Sequence, residues 1–370
     1  MKQQTIIEGA LAYENIGSIL SKKHIQKFLL VGGFSKEAVP LKEYWDSLNI
    51  PYVYFNGFSS NPLYQSLVDG VRIFRQEKCD MIIAVGGGSA IDVAKCIKLY
   101  SHMNEQTNFF DQEIVENTIP LMAVPTTAGT GSESTRFAVI YYNGEKQSIC
   151  NESIIPDYVI LEPELLSSLP LYQKKSTVMD ALCQAIESMW SVNSTEESMG
   201  YSKRAITMIL NSLDAYLDGE PESNEKILKA SNLAGRAINI TQTTAAHAMS
   251  YKITSLFGLP HGHAVALCLP HVWKYMNDHL DRCIDPRGAE YLADILHEIA
   301  LCMKESTAEK AVEYFEGIMD KMGLGTDIRI DNAQLTLLAS SVNPVRLKNN
   351  PVRLDSEVLS EMYSEIFDRL

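Results

Sequence analysis

Residues 81–95 of the chain read MIIAVGGGSAIDVAK. The apolar run up to Val85 is typical of a buried strand, and the residues after Ser89 have the pattern of a helix. The three glycines allow a tight turn and a close backbone approach to a ligand, and a helix start offers free N–H groups to a phosphate. The stretch therefore predicts a nucleotide-binding turn or, as the simpler alternative, a packed strand-to-helix connection.

Similar apolar runs recur along the first half of the chain, and amphipathic segments lie between them. These runs are KFLLVGG (27–33), YVYFNG (52–57), IPLMAVPTT (119–127) and DYVILEP (157–163). Continuous apolar strands that alternate with helices predict a parallel sheet covered on both faces. The segment FAVIYYNGEKQSIC (137–150) predicts a hairpin that turns at Asn143-Gly144.

The pattern changes near residue 170, because almost everything after Ser176 has helical periodicity. We therefore predict two domains, a dinucleotide-binding α/β domain at residues 1–172 and an all-α domain at residues 173–370. The helical domain is expected to bind metal and substrate.

Composition limits the partners of this chain. Its 370 residues include 46 acidic and 32 basic side chains, which gives a net charge of −14. A protein of this charge is not expected to bind nucleic acid or an anionic membrane, although a small anionic substrate needs only one or two local cations. The seven cysteines are scattered without CxxC spacing, and the N-terminus lacks the apolar core of a signal peptide. We expect a cytoplasmic protein.

Two further stretches carry candidate chemistry. PTTAGTGSE (125–133) is a second loop of small hydroxyl and glycine residues after a strand, the position at which open α/β sheets bind nucleotides. VMDALCQAIE (178–187) places Asp180 and Gln184 on one face of a helix that is expected to begin near Ser176 or Thr177. Half of the eight histidines fall in the stretch 247–271, namely His247, His261, His263 and His271. A carboxylate with clustered imidazoles is typical of a divalent metal site.

These motifs, in this order, resemble the iron-containing (group III) alcohol dehydrogenase family. GGGSAIDVAK is followed by PTTAGTGSE and MDALCQAIE, and then by His247, fourteen residues before His261 in PHG. The resemblance covers essentially the whole chain. It implies a Rossmann-like domain with a parallel sheet, an all-α C-terminal domain, and hydride transfer between a nicotinamide cofactor and a small alcohol or aldehyde. It also implies a homodimer.

The resemblance implies a set of cofactor contacts, which are Gly33, Ser35, Lys36, Gly86, Gly87, Gly88, Ser89, Asp92, Thr126, Thr127, Thr130, Ser132 and Lys146. NAD-preferring relatives typically end the first strand of the domain with an acidic residue. Here Ser35 and Lys36 follow instead, and both are suited to a 2′-phosphate, which predicts NADP(H) in preference to NAD(H). The alternative is that Lys36 is a solvated surface lysine.

The resemblance places the iron ligands on Asp180, Gln184, His247 and His261. Most relatives have histidine at the second of these positions, and an amide oxygen is a weaker donor than imidazole. Three interpretations stay open. Gln184 is a weak ligand of Fe(II) or another divalent ion, or His263 takes over, or the site holds little metal and polarises the carbonyl by hydrogen bonds alone.

Tyr251 stands where many relatives have histidine. Together with Asp180, His247 and His261 it is a candidate catalytic residue, because its hydroxyl is able to donate or relay a proton. The alternative is that its ring only fills the wall of the site.

Three stretches resemble the branch of phosphonoacetaldehyde reductases, which form 2-hydroxyethylphosphonate. They are residues 136–149, 178–198 and 341–354. A phosphonate dianion needs cationic donors, and the candidate substrate residues are Arg136, Arg346, Lys348 and Arg353, together with His263. The alternatives are a general butanol- or propanediol-type dehydrogenase, a non-catalytic nucleotide-binding relative, and a metal-free lyase of the dehydroquinate synthase kind.

Overall fold

A computed structural model describes residues 3–32 and 39–369 of the chain. Backbone contacts divide the chain into two compact units. The first unit comprises residues 1–169 and 218–232, and the second comprises residues 170–217 and 233–370. The sequence prediction placed residues 218–232 in the helical domain because the segment has helical periodicity. Periodicity identifies a helix but does not say which core the helix joins.

The first unit is built on a parallel sheet, as predicted. Its strands are β1 (Thr5–Glu8), β2 (Phe28–Gly32), β3 (Tyr52–Phe55), β4 (Met81–Gly86), β5 (Leu121–Pro125) and β8 (Tyr158–Leu161). They lie in the order β1-β8-β5-β4-β2-β3, and every neighbouring pair is parallel. From β2 to β3 the chain adds strands toward one edge of the sheet, and from β4 onward it adds them toward the other edge. The point of reversal, between β2 and β4, is where open α/β sheets bind ligands.

The predicted hairpin is confirmed. Strands β6 (Phe137–Tyr142) and β7 (Glu145–Cys150) are antiparallel. Asn143 and Gly144 have φ values of 51° and 79°, the pair of positive values that a two-residue type I′ turn requires.

Helices cover both faces of the sheet. They are α1 (Asn15–Lys22), α2 (Val39–Ser47), α3 (Tyr64–Gln76) and α4 (Gly88–Tyr100). Alternate residues of β2 enter opposite cores: Leu29 and Val31 pack into one apolar cluster, and Phe28 and Leu30 into the other. Burial on both faces explains why the strands read as continuous apolar runs.

The second unit is helical, as predicted. Its helices are α5 (Leu171–Trp190), α6 (Glu196–Leu217), α8 (Ala245–Phe257), α9 (His261–Asp278), α10 (Ala289–Cys302), α11 (Ala308–Met322), α12 (Asn332–Ser340), α13 (Pro344–Leu347) and α14 (Ser356–Ile366). Helix α7 (Pro221–Thr241) contributes its first half to the first unit and its second half to the second. Two short strands, β9 (Arg329–Ile330) and β10 (Asp368–Arg369), pair in parallel.

The expected start of α5 near Ser176 is wrong, because the helix begins at Leu171 after Pro170. Serine is a frequent N-cap, but here Ser176 lies within the helix, and its Oγ accepts a hydrogen bond from the backbone N–H of His263 at 3.2 Å. Among the described residues, no helix combines the length and apolar character that crossing a membrane requires.

Candidate metal centre and nucleotide loops

Three side chains of the second unit, two of them buried and one half-buried, converge in a cluster. Asp180 on α5, His247 on α8 and His261 on α9 each offer a ligand atom, and these atoms lie within 4.8 Å of one another. Asp180 and His247 are almost fully buried, and His247 Nε2 lies 3.3 Å from Asp180 Oδ1. A buried carboxylate with two imidazoles is a donor set that fits a divalent ion such as Fe(II) or Zn(II).

Close packing of α5 against α9 brings Asp180 and His261 together. Gly262 faces α5, and a Cβ at this position would lie 2.0 Å from the Ser176 carbonyl oxygen and 2.8 Å from Asp180 Cβ. No other residue fits so close an approach. The glycine of the PHG motif therefore allows the neighbouring His261 to reach the carboxylate.

Glu187, two helical turns after Asp180 on α5, completes the surroundings of His247. Its fully buried carboxylate contacts His247 Nδ1 and accepts hydrogen bonds from the His247 backbone N–H (3.2 Å) and from Thr244 Oγ1 (2.8 Å). The sequence analysis did not identify this residue. Its signal was the seven-residue spacing from Asp180, which places two carboxylates on one face of a helix.

Charge complementarity outweighs burial in this cluster. Burial lowers the pKa of His247, but the charge of Glu187 and the hydrogen bonds to Asp180 and Glu187 raise it well above its usual value. Burial raises the pKa of the Asp180 carboxyl, yet the hydrogen bond from His247 and the charge of His261 bring it below its usual value. The pKa of Glu187 is lowered in the same way by His247. Both carboxylates are ionised at neutral pH.

Gln184 lies beside the cluster, as the sequence analysis expected. Its side chain is 4% exposed, and its Nε2 donates to Asp180 Oδ1 at 3.2 Å. In this orientation the amide supports the carboxylate. A 180° rotation of the terminal torsion, which is soft in glutamine, would present the oxygen instead.

Tyr251 and His263 have different positions. The Tyr251 ring is half-buried and stacks on His261, with centroids 5.6 Å apart and planes 15° apart. His263 Nδ1 contacts the Tyr172 hydroxyl at 2.9 Å, and its Nε2 contacts the Leu324 carbonyl oxygen at 2.9 Å. The structure therefore does not bring His263 into the metal cluster, and both of its ring nitrogens already bind protein groups.

The glycine run in the first unit connects β4 to α4 at the carboxyl edge of the sheet. Gly86 has a φ of 156°, and its carbonyl oxygen accepts from the Thr126 backbone N–H at 3.0 Å. A Cβ at Gly87 would lie 3.1 Å from Thr127 Oγ1, and one at Gly88 would lie 2.9 Å from Thr130 Cγ2. The two predicted nucleotide loops therefore pack against each other. The predicted contacts Gly33, Ser35 and Lys36 lie outside the described residues.

Asp92 and Lys95 hold the second loop from within α4. Asp92 accepts from Ser132 Oγ at 2.6 Å and from the Val139 backbone N–H at 2.9 Å. The fully buried Lys95 Nζ donates to Thr135 Oγ1 at 3.1 Å and to the carbonyl oxygens of Ser132 and Phe137 at 2.5 and 2.7 Å. Asp92 and Ser132 thus hydrogen-bond to each other, and Lys95, which the sequence analysis did not single out, anchors the same loop.

Two more predicted cofactor residues lie near these loops. Ser89 is in the first turn of α4, and its Oγ donates to the Ser60 carbonyl oxygen at 2.5 Å. Lys146 is half-buried on β7, opposite Tyr141.

The candidate substrate cations occupy separate positions. In the first unit, Arg136 pairs with Glu152 at 2.7 Å and lies over the Phe137 ring. In the second unit, the half-buried Arg346 donates to Gln242 Oε1 at 3.0 Å, and Lys348 is exposed. The ion pair with Glu152 explains the position of Arg136 without a ligand.

Family models match almost the whole chain. Residues 3–163 match the iron-containing alcohol dehydrogenase model, and residues 174–367 match the model of the C-terminal part of the Fe-containing alcohol dehydrogenase family. The chain belongs to the iron-containing alcohol dehydrogenase family. It is therefore an NAD(P)-dependent oxidoreductase of small aldehydes and alcohols, and the predicted resemblance is confirmed.

Named relatives differ in substrate. The phosphonoacetaldehyde reductase of Streptomyces viridochromogenes is 31% identical over 312 residues, which cover 80% of this chain and 78% of that protein. An NADPH-dependent butanol dehydrogenase of Clostridium saccharobutylicum is 28% identical, and the matched region covers 88% of this chain and 84% of that protein. The crystal structure of sulfoacetaldehyde reductase from Bifidobacterium kashiwanohense in complex with NAD+ superposes with a TM-score of 0.90 at 26% identity, covering 100% and 98% of the two chains.

Proposed function

We propose that this protein reduces an anionic two-carbon aldehyde, phosphonoacetaldehyde, to 2-hydroxyethylphosphonate. Two of the named relatives act on acetaldehydes that carry a phosphonate or a sulfonate. Such substrates require a cationic donor that neutral aldehydes do not need.

The position of Arg346 carries this proposal. Gln242, its partner, is the first residue of the connection from α7 to α8 and lies five residues before His247. Asn349 fixes the same connection, since its Nδ2 donates to the Thr243 carbonyl oxygen at 3.2 Å. A guanidinium is thus held on the segment that leads into the helix of a metal-site histidine, where it is suited to a phosphonate.

The metal site of this proposal comprises Asp180, His247 and His261 as ligands, with Gln184 as a weak fourth donor. A divalent ion bound there supplies Lewis acidity that polarises the aldehyde oxygen. Asp180 contributes a buried negative charge, and Glu187 fixes the His247 ring. Tyr251 orients the His261 ring by stacking, and proton relay by its hydroxyl stays a prediction.

The cofactor proposal assigns the dinucleotide to the glycine run and the threonines of the second loop. The amide groups at the start of α4 are oriented to bind its pyrophosphate. NADP(H) preference rests on Ser35 and Lys36 and stays a prediction, as does the homodimer.

A direct comparison of substrates tests this function. We expect Arg346→Ala to raise KM for phosphonoacetaldehyde by about 10- to 100-fold, since a hydrogen bond to a charged group contributes about 1.5–3 kcal/mol, and to change KM for propanal little. Arg136→Ala serves as a parallel variant, and Arg329→Ala on β9 as an exposed control. Equal effects of Arg346→Ala on both aldehydes would contradict anion recognition by this residue.

A neutral short-chain aldehyde is the second candidate, because a butanol dehydrogenase is among the relatives. The unsubstituted protein distinguishes the two. A higher kcat/KM for butanal or propanal than for phosphonoacetaldehyde would favour the second candidate.

A further inference from the structure

Glu187 is a carboxylate that folding has removed entirely from water. Its side chain is 0% exposed in the middle of α5. An ionised carboxylate in such a place is costly unless several donors satisfy it. The donors here all come from the start of α8: the Thr244 hydroxyl, the His247 backbone N–H and the His247 ring.

Capping of α8 alone does not account for this arrangement. The backbone N–H of His247 and the Thr244 hydroxyl would already satisfy one carboxylate oxygen, Oε1. The second oxygen, Oε2, contacts His247 Nδ1. Trp190 Nε1 in turn donates to Thr244 Oγ1 at 2.9 Å, so the hydroxyl is fixed on its other side.

The contact with Nδ1 determines how the His247 ring is presented. With Nδ1 directed at Glu187, Nε2 is the nitrogen that faces Asp180, at 3.3 Å, within the cluster that includes His261. A histidine ligand whose other nitrogen binds a carboxylate has a fixed ring orientation and a more basic donor atom.

We propose that Glu187 is a positioning residue of the metal site, which holds His247 with Nε2 directed at the ion and strengthens that nitrogen as a donor. The proposal rests on the metal site proposed above. It has particular weight in this chain because the amide at position 184 is a weaker donor than the imidazole of most relatives, so more of the binding depends on Asp180 and the two histidines. The charge of Glu187 would be a second negative charge close to a dication bound at this cluster.

Co(II) binding by the full-length, metal-stripped protein tests this role. We expect Glu187→Gln, which keeps the size and the acceptor oxygen but removes the charge, to weaken Co(II) binding by about 10- to 100-fold. The visible absorption bands of the Co(II) protein should also shift, which a loss of stability that leaves the site unchanged would not cause. Asp285→Asn is the matched control, because Asp285 is a buried carboxylate of the same unit that pairs with Arg287. Its Co(II) affinity should stay unchanged.

Two results would overturn the proposal. One is Co(II) affinity and spectra of folded Glu187→Gln equal to those of the unsubstituted protein. The other is a lack of Co(II) binding by the unsubstituted protein, which would remove the metal site together with this role. If Glu187→Gln does not fold, the Thr244→Val variant tests the same role, since it removes one hydrogen-bond donor to Glu187 and keeps the charge of the carboxylate. We expect it to weaken Co(II) binding by about 2- to 10-fold, as the loss of one hydrogen bond implies, and unchanged affinity would refute the role.

Discussion

Position 184 is the chief point at which this chain departs from the family that its motifs resemble. Gln184 lies one helical turn after Asp180 and hydrogen-bonds to it. An amide at this point neither adds charge nor donates to a metal as strongly as an imidazole. We therefore expect this residue to affect how tightly the proposed site retains an ion.

Gln184→His should tighten the binding of Co(II) or Fe(II). An imidazole at i+4 from Asp180 extends from the same helix face and replaces a weak donor by a strong one. We expect at least about a 10-fold lower Kd, equivalent to about 1.4 kcal/mol, measured by metal titration of chelator-treated protein. Gln184→Leu is the companion variant. If neither substitution changes the Kd, Gln184 is not a ligand.

Residue types predicted which side chains converge in the candidate metal cluster, but not the residues that hold them in place. Asp180, His247 and His261 stand out in sequence because carboxylates and imidazoles bind metals. The spacing of Glu187 from Asp180 places it on the same helix face, but its contact with the His247 ring becomes visible only when α8 packs against α5. Buried donors such as Lys95 are hidden for the same reason.

At the level of elements, the contact between α5 and α9 decides whether the metal residues meet. The contact depends on Gly262, because a Cβ at this position would lie 2.0 Å from the Ser176 carbonyl oxygen. The sequence pattern predicted both helices, but it predicted the wrong start for α5. It gave no signal for β1, a four-residue strand at the edge of the sheet. Short edge strands and the first residues of helices depend on tertiary contacts more than on the local sequence pattern.

Gly262→Ala should destabilise the protein and weaken its metal binding. The added methyl group would meet backbone atoms that cannot rotate away, so α5 and α9 must separate, at a cost of about 1–3 kcal/mol or more. Urea unfolding and Co(II) titration measure the two effects. Gly317→Ala on α11 is the matched control, because nothing lies within 4 Å of its added Cβ. It should be neutral or stabilising by up to about 1 kcal/mol, and a similarly mild Gly262→Ala would contradict the close approach.

The contact between α4 and the second loop should respond to pH through Lys95. Burial lowers the pKa of this lysine to about 8, although Asp92 and Glu133 act in the opposite direction. The unfolded chain, with a lysine pKa of about 10.4, binds more protons than the folded chain between these values. The contribution of Lys95 to stability therefore rises as pH increases from about 8 to about 10.

Comparison with Lys95→Met measures this effect. The free energy of unfolding of the unsubstituted protein minus that of the variant should increase between pH 7.5 and pH 9.5, as obtained from urea unfolding. A difference that stays constant over this range would show that the Lys95 amine has an ordinary pKa.

At the scale of the molecule, the first unit is not a continuous segment of the chain. Residues 218–232 belong to it although residues 170–217 do not. Within the first unit, Asn232 Nδ2 donates to Glu133 Oε1 at 3.0 Å and to Ser134 Oγ at 2.7 Å, and Lys229 pairs with Glu8. The buried Glu133 thus depends on a residue about a hundred positions later.

A fragment of residues 1–172 should therefore not fold as an independent domain. Without Asn232 it would leave the carboxylate of Glu133 in its core with fewer donors, and it would expose the surface that α7 covers. We expect no cooperative urea transition and no dinucleotide binding by the fragment. In the full chain, Asn232→Ala should lower the free energy of unfolding by about 1–3 kcal/mol. A cooperative fragment that binds cofactor would contradict this dependence.

The split composition of the first unit also limits how genes of this kind exchange parts. A single crossover near codon 172 would combine Glu133 from one parent with Asn232 from the other. An exchange that transfers the first unit intact needs three breakpoints, after residues 169, 217 and 232. Chimeras with one junction should therefore be poorly expressed unless both parents agree at these contacts, so that the two halves of the gene are inherited together.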